Sequence, residues 1–163
     1  MAERDIRVVS GGYGTREIDT DDRNTSGQIQ LLFGNPVKRG GTGNNFAIAV
    51  ENGEPEDGTD VMLGVVNRND TSTATVDGKV EVLLCGPGTI LTGDATTSAS
   101  IDTAAELLGL MLDFVAFDVS ATSVWTIDED QNASNVGLNI VGGDIIRTRV
   151  FVSVGACTLF GSK

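Results

Sequence analysis

"TATVDGKVEV", residues 73–82, sets the fold class of this chain. An Asp-Gly pair between two β-prone runs is a short-range hairpin signal, because Asp77 and Gly78 tolerate the positive φ angles of a two-residue turn. Strand-length apolar runs flank it on both sides: "IQLLF" (29–33), "FAIAV" (46–50), "VMLGVV" (61–66), "KVEVLL" (79–84), "FVAFDV" (114–119), "VWTI" (124–127), "LNIV" (138–141) and "DIIRTRVFVSV" (144–154). Asn52-Gly53 is another turn signal, and "NIVGGDII" reads as a second hairpin with Gly142 and Gly143 at its tip. Beyond that tip, alternation puts Ile146, Val150, Val152 and Val154 on one face and Arg147 and Arg149 on the other. One dry face and one wet face predict a mainly β protein, an antiparallel β-sandwich or small barrel.

The exception is "IDTAAELLGLMLDFVAFDVS" (101–120), whose first half reads as one short α-helix over about 103–112. Thr103 followed by Glu106 fits a capping box, and Asp102 adds negative charge at the positive end of the helix dipole. Ala104, Leu107, Leu108, Met111 and Leu112 fall at helical spacing, with Leu110 widening the stripe. So broad a stripe predicts a helix buried against the sheet, a partner-binding face being the alternative. The expected core is therefore Leu107, Leu108 and Met111 with Val150 and Val152, and Leu108→Asp is expected to unfold the chain.

Residues 1–28 have a different texture, with Gly11, Gly12, Gly14, acidic Asp19, Asp21 and Asp22, and a brief apolar patch at Ile6, Val8 and Val9. This division predicts an extended N-terminal arm (1–28) on a β-rich body with one helix (29–163). The whole sequence of 163 residues carries a net charge of −12, while residues 1–40 hold equal numbers of basic and acidic side chains. An acidic body argues against direct nucleic-acid binding, which needs cations to displace counterions. The start lacks the apolar run of a signal peptide, and no stretch approaches the roughly 18 apolar residues of a membrane helix. Cys85 and Cys157 lie near apolar runs and form no CxxC pair, so buried thiols are expected, with a disulfide between them the alternative.

The sequence contains no histidine, which removes the commonest general base, the histidine-dependent nucleophile systems and histidine zinc sites. Carboxylates cluster in "DTDD" (19–22), "GEPEDGTD" (53–60) and "DEDQN" (128–132), all in polar, turn-like surroundings. Asp128, Asp130 and Asn132 alternate as calcium ligands do in an EF-hand loop, but Ala133 and Asn139 stand where that loop needs glycine and glutamate. They form a weak calcium candidate. "SGGYGTRE" and "RGGTGNN" match neither phosphate-binding glycine pattern. No catalytic residue, cofactor or metal is assigned, and the expectation is a non-enzyme.

The run "VMLGVVNRNDTSTATVDGKVEVLLCGPGTILTGDATTSASIDTAAELLGLMLDFVAFDVS" (61–120) resembles head decoration, or cement, proteins of tailed bacteriophages and their prophage relatives. The likeness lies in texture and order: a "GNPVKRGG" turn, apolar "LGVV" before a Thr/Ser stretch, the "DGKVEV" hairpin, a "PGTIL" bend, then "DTAAEL" leading into "FDVS". It spans residues 34 to about 154. The resemblance implies a β-tulip-like, non-enzymatic protein on the virion exterior, made in the host bacterial cytoplasm. It also implies that the partners are the major capsid protein and sister subunits in a homotrimer, with no membrane involved. In such a protein Ile6, Arg7, Val8 and Val9 are the candidate capsid or inter-subunit contacts, an ordinary first core strand being the alternative. The competing function is a carbohydrate-binding or calcium-dependent adhesion module using Trp125 and the Asp128 loop.

Overall fold

A computed structural model describes residues 6–26, 29–40, 46–50, 62–120, 124–129 and 137–155. In chain order these form β1 (Arg7–Ser10), β2 (Thr15–Thr20), a single turn α1 (Arg23–Ser26), β3 (Pro36–Gly40), β4 (Phe46–Ala49), β5 (Met62–Arg68), β6 (Gly78–Leu84) and β7 (Ile90–Asp94). After a 3-10 turn at Ser98–Ser100 come α2 (Ala104–Leu110), β8 (Phe114–Val119), β9 (Trp125–Asp128), β10 (Leu138–Asp144) and β11 (Arg149–Val154). The strands build two antiparallel sheets, β1-β7-β11-β10-β8-β9 and β2-β6-β5-β3-β4, in a sandwich-like arrangement that is not a closed barrel. The five-stranded sheet curls until its edge strands β2 and β4 touch.

Alternation explains which faces turn inward. Val80 and Val82 of β6 and Val150, Val152 and Val154 of β11 are buried, while Lys79 and Glu81 point the other way. One core fills the space between the sheets around Ile6, Leu91, Phe117, Trp125, Ile127 and Ile140. A second, of Leu31, Val37, Leu63, Val66, Val80 and Val82, fills the curl of the five-stranded sheet.

The arm is the first expectation to be corrected. β1 pairs with β7, Arg7 opposite Thr92, and β2 pairs with β6 along its whole length from Thr15–Leu83 to Thr20–Gly78. Residues 7–20 thus belong to both sheets, and Gly11 (φ +74) and Gly14 (φ +90) let the chain cross between them. Ile6 is fully buried, and Gly93 makes its room: a Cβ there would lie 2.5 Å from Ile6 Cδ1.

Of the two predicted hairpins, the one at Asp77-Gly78 does not form and the other turns later, and in both the glycines serve a different need. Neither Gly78 nor Gly142 nor Gly143 has a positive φ; Gly78 and Gly143 are needed for close approach. A Cβ on Gly78 would lie 2.1 Å from the Ser72 amide nitrogen, and one on Gly143 would lie 2.9 Å from Leu107 Cδ1. Residues 73–76 form no strand, and β6 finds its partners in β2 and β5 instead. The β10–β11 hairpin exists, but its strand continues through both glycines and turns at residues 145–148. There Asp144 Oδ1 accepts from the amides of Ile146 and Arg147, and Thr148 takes the left-handed conformation (φ 52). Ile146 consequently stands at the tip, 91% exposed, rather than on the dry face.

Two further segments exchange roles. "IQLLF" is a loop that drops only Leu31 into the core, and "PVKRG", read as a turn, is strand β3 with its proline at the first position, where a strand tolerates it.

The helix is also corrected. The capping box forms, with Glu106 N donating to Thr103 Oγ1 and Thr103 N donating to Glu106 Oε2. The face turned inward is Leu107, Leu110 and Met111, each only half-buried, and Leu108 is 74% exposed. No residue of α2 is buried, so the helix lies over the edge of the core instead of plugging it. Leu108→Asp is therefore expected to shift unfolding by no more than about 0.5 kcal/mol, the scale of an ordinary surface substitution. A urea midpoint far below that of the parent protein would show that the helix is buried after all.

Candidate interaction surface

Strand β1 is an edge strand of the six-stranded sheet, and its side chains divide by alternation. Ile6 enters the core, Val8 is half-buried, and Arg7 and Val9 are exposed. The sequence-predicted contact stretch thus contributes one core anchor, Ile6, one half-buried residue packed on the core, Val8, and two exposed residues, Arg7 and Val9.

Two clefts flank this strand, and Arg7 borders both. The first, about 190 Å3, lies between β1 and the five-stranded sheet and is lined by Ile6, Val8, Phe33, Val65, Val66 and Leu83, with Asn67 at its polar end. Phe33, Leu32 and Val9 leave substantial apolar surface exposed near this edge or on the loop beside it. The second cleft, about 240 Å3, lies on the outer face of the six-stranded sheet, where Arg7, Thr92 and Phe151 form one cross-strand row and Arg149 and Asp144 the next. Arg147 reaches it from the β10–β11 turn.

The outer face of the five-stranded sheet carries a charge ladder. Lys79 Nζ lies 2.9 Å from Glu17 Oε1, and Arg68 bridges Glu17 and Glu81 at 3.7 and 3.4 Å. The hydrogen bond and charge of Lys79 hold the Glu17 carboxyl below its usual value, and the same bond raises Lys79. Glu17's share of stability is present above its unfolded pKa and lost as pH falls; Lys79's is present below its unfolded pKa and lost as pH rises. Both groups are solvated, so the ladder orients the surface more than it stabilises the fold.

The remaining candidates separate. Val150 and Val152 are core residues, whereas Leu107 and Met111 are half-buried and Leu108 is exposed. Asp128 ends β9 opposite Ala116, while Asp130 and Asn132 lie outside the described residues, as do Cys157 and the Asn52-Gly53 turn. Cys85 is buried, its thiol 3.7 Å from the Leu83 carbonyl. Trp125 is only 2% exposed and presents no ring face to a sugar. Asp21, Asp22 and Asp77 bring carboxylate oxygens within 4.8 Å of one another, the one such cluster among the described residues.

Sequence reading missed two features. The apolar cleft needs Phe33 and Leu83, distant in sequence and joined only by the sheet. Asp70, a buried carboxylate, accepts from Thr20 Oγ1 (2.6 Å), Ser72 N (2.7 Å) and Ser72 Oγ (2.6 Å), and so binds its loop to β2. The "DTST" spacing is a local signal for such an Asx turn, but nothing in it points to Thr20.

Comparison with protein families, with curated proteins and with solved structures gives no match to this chain.

Proposed function

We propose that this protein is a structural virion component that binds the outer surface of a bacteriophage capsid and stabilises the shell, acting as an oligomer, a homotrimer at three-fold positions. The observation that carries the reading is the ordered likeness of residues 34–154 to head decoration proteins. A two-sheet β body is compatible with it, and the absence of histidine from the sequence removes the commonest route to proton transfer. The body works through spread contact: Arg7, Val8 and Val9 at the β1 edge, with Phe33 beside them, meet the major capsid protein or a sister subunit. Each contact is modest, and repetition around a symmetric shell multiplies them into firm attachment.

The test is co-sedimentation of the purified chain with expanded shells of the virus or prophage that encodes it. The expected result is saturable pelleting at a fixed ratio to the major capsid protein, reduced at least about tenfold in affinity by Val9→Asp. Protein left entirely in the supernatant at every concentration would overturn the proposal.

A further inference from the structure

We propose that the exposed face of α2 and of the turn after it, presenting Leu108, Leu112 and Phe114, is a docking site for a basic amphipathic segment of a partner polypeptide. Exposure is the first support. Ten large apolar side chains stand exposed among the described residues, and three of them fall within residues 108–114: Leu108 (74%), Leu112 (69%) and Phe114 (38%). Leu107, Leu110 and Met111 already turn inward, so these three are surplus to the core. Beside Leu108 the outward surface is small: Ala104, Ala105 and Gly109 are exposed, and a Cβ on Gly109 would meet nothing within 4 Å. A partner backbone can approach closely there.

Backbone strain is the second support. Leu112 takes the left-handed conformation (φ 71), and among the described residues Thr148 alone shares a positive φ without being glycine. The turn from α2 into β8 fixes it: the Leu112 amide donates to the Ile140 carbonyl (2.8 Å), and the Asp113 carbonyl accepts from the Ile140 amide (3.0 Å). Glycine or asparagine takes such a position at little cost, whereas the Cβ of leucine crowds its own carbonyl. A side chain that is both strained and exposed does little for the fold, and contact outside the chain gives it a role.

Charge selects the partner. Residues 80–146 contain no lysine or arginine, against ten aspartates and glutamates. Three of these are exposed around the apolar face, Asp102 and Glu106 at the start of α2 and Asp113 past its end. Glu106, by hydrogen bond and by charge, raises the Asp102 carboxyl above its ordinary value, so an ammonium or guanidinium arriving there relieves a repulsion. An apolar centre with an acidic rim fits a segment whose apolar anchors are flanked by lysine or arginine. A second copy of this chain would set carboxylate against carboxylate at this face, and a nucleic acid or an anionic lipid surface would be repelled as well.

The experiment is titration of the isotopically labelled full chain, without shells, followed by amide NMR. The probes are a blocked 14-residue peptide with leucines on one helical face and lysines beside them, a counterpart with glutamine for lysine, and one with serine for leucine. The leucine-lysine peptide is expected to shift Leu108, Gly109, Leu112 and Phe114 saturably, with affinity falling as salt rises. Each counterpart is expected to bind at least about tenfold more weakly, as is the first peptide to Leu112→Asn. Asparagine accepts the left-handed conformation, so that variant is expected to melt at or above the parent temperature, which separates a docking side chain from a structural one. Leu108→Ser is a second variant, expected to weaken binding with melting unchanged. The assignment is overturned by no shift, by shifts spread evenly over the acidic surface, by counterparts or variants that bind as well as the originals, or by a Leu112→Asn protein that melts well below the parent. It is also overturned if these amides shift on concentrating the chain alone and Leu112→Asn removes that shift, the behaviour of an interface between two copies. Because no shell is present, these outcomes are independent of whether the protein decorates a capsid.

Discussion

Removal of residues 2–20 is expected to abolish the cooperative thermal transition of the whole protein. The deletion takes away β1, which pairs with β7, and β2, which covers β6 from Thr15–Leu83 to Thr20–Gly78. It also empties the site of Ile6, fully buried among the side chains between the sheets. Truncating one such side chain costs about 2–5 kcal/mol, and a domain of ordinary stability has only about 5–15 kcal/mol to lose. Losing the anchor together with two strands exceeds that margin. Circular dichroism melting distinguishes the outcomes: a broad, non-cooperative trace supports the woven-in segment, and an unchanged midpoint would show a dispensable arm. Ile6→Ala alone is expected to lower stability by about 2–5 kcal/mol while leaving a cooperative transition.

Asp70→Ala has the second large effect. The carboxylate is buried and accepts three hydrogen bonds, from Thr20 Oγ1, Ser72 N and Ser72 Oγ. Alanine leaves those donors inside the protein without an acceptor, at about 1–3 kcal/mol for each that fails to find water. Their losses overlap, so the expected cost is on the order of 3 kcal/mol. Asp70→Asn keeps one carbonyl acceptor, and the Ser72 hydroxyl can rotate to accept from the new amide, so about 1 kcal/mol is expected. Urea unfolding should rank the variants parent, Asn, Ala. An alanine variant within about 0.5 kcal/mol of the parent would mean that water replaces the network.

What was legible in the sequence was the part set by local alternation. "FVAFDV" is strand β8 residue for residue, "KVEVLL" and "VWTI" fall within a residue of β6 and β9, and "LNIV" is the first four residues of the longer β10. The capping box at Thr103 was readable because its partners are three residues apart. The antiparallel two-sheet architecture was also legible, and what failed were readings of single segments that needed a non-local neighbour. "TREIDT" shows little apolar patterning because β2 lies at a sheet edge, with Ile18 half-buried and only Thr20 fully so. Gly78 and Gly143 look like turn residues, but their demand for space comes from Ser72 and from Leu107, which lie elsewhere in the sequence. The apolar stripe of α2 was real, but three half-buried leucine and methionine side chains already cover the core edge, leaving Leu108 outside. Of the stretch Ile6, Arg7, Val8 and Val9 expected to make contacts, alternation leaves Arg7 and Val9 exposed and buries Ile6, while the cleft that Arg7 borders depends on cross-strand register between β1, β7, β11 and β10.

Electron cryo-microscopy of shells incubated with the protein tests most directly the proposal that it acts by the surface it offers to a viral shell. The predicted result is added density on the outer face at three-fold positions, in groups of three, with the β1 edge turned toward the capsid or a sister subunit. Shells that emerge bare at saturating protein, or density confined to the inner face, would contradict it.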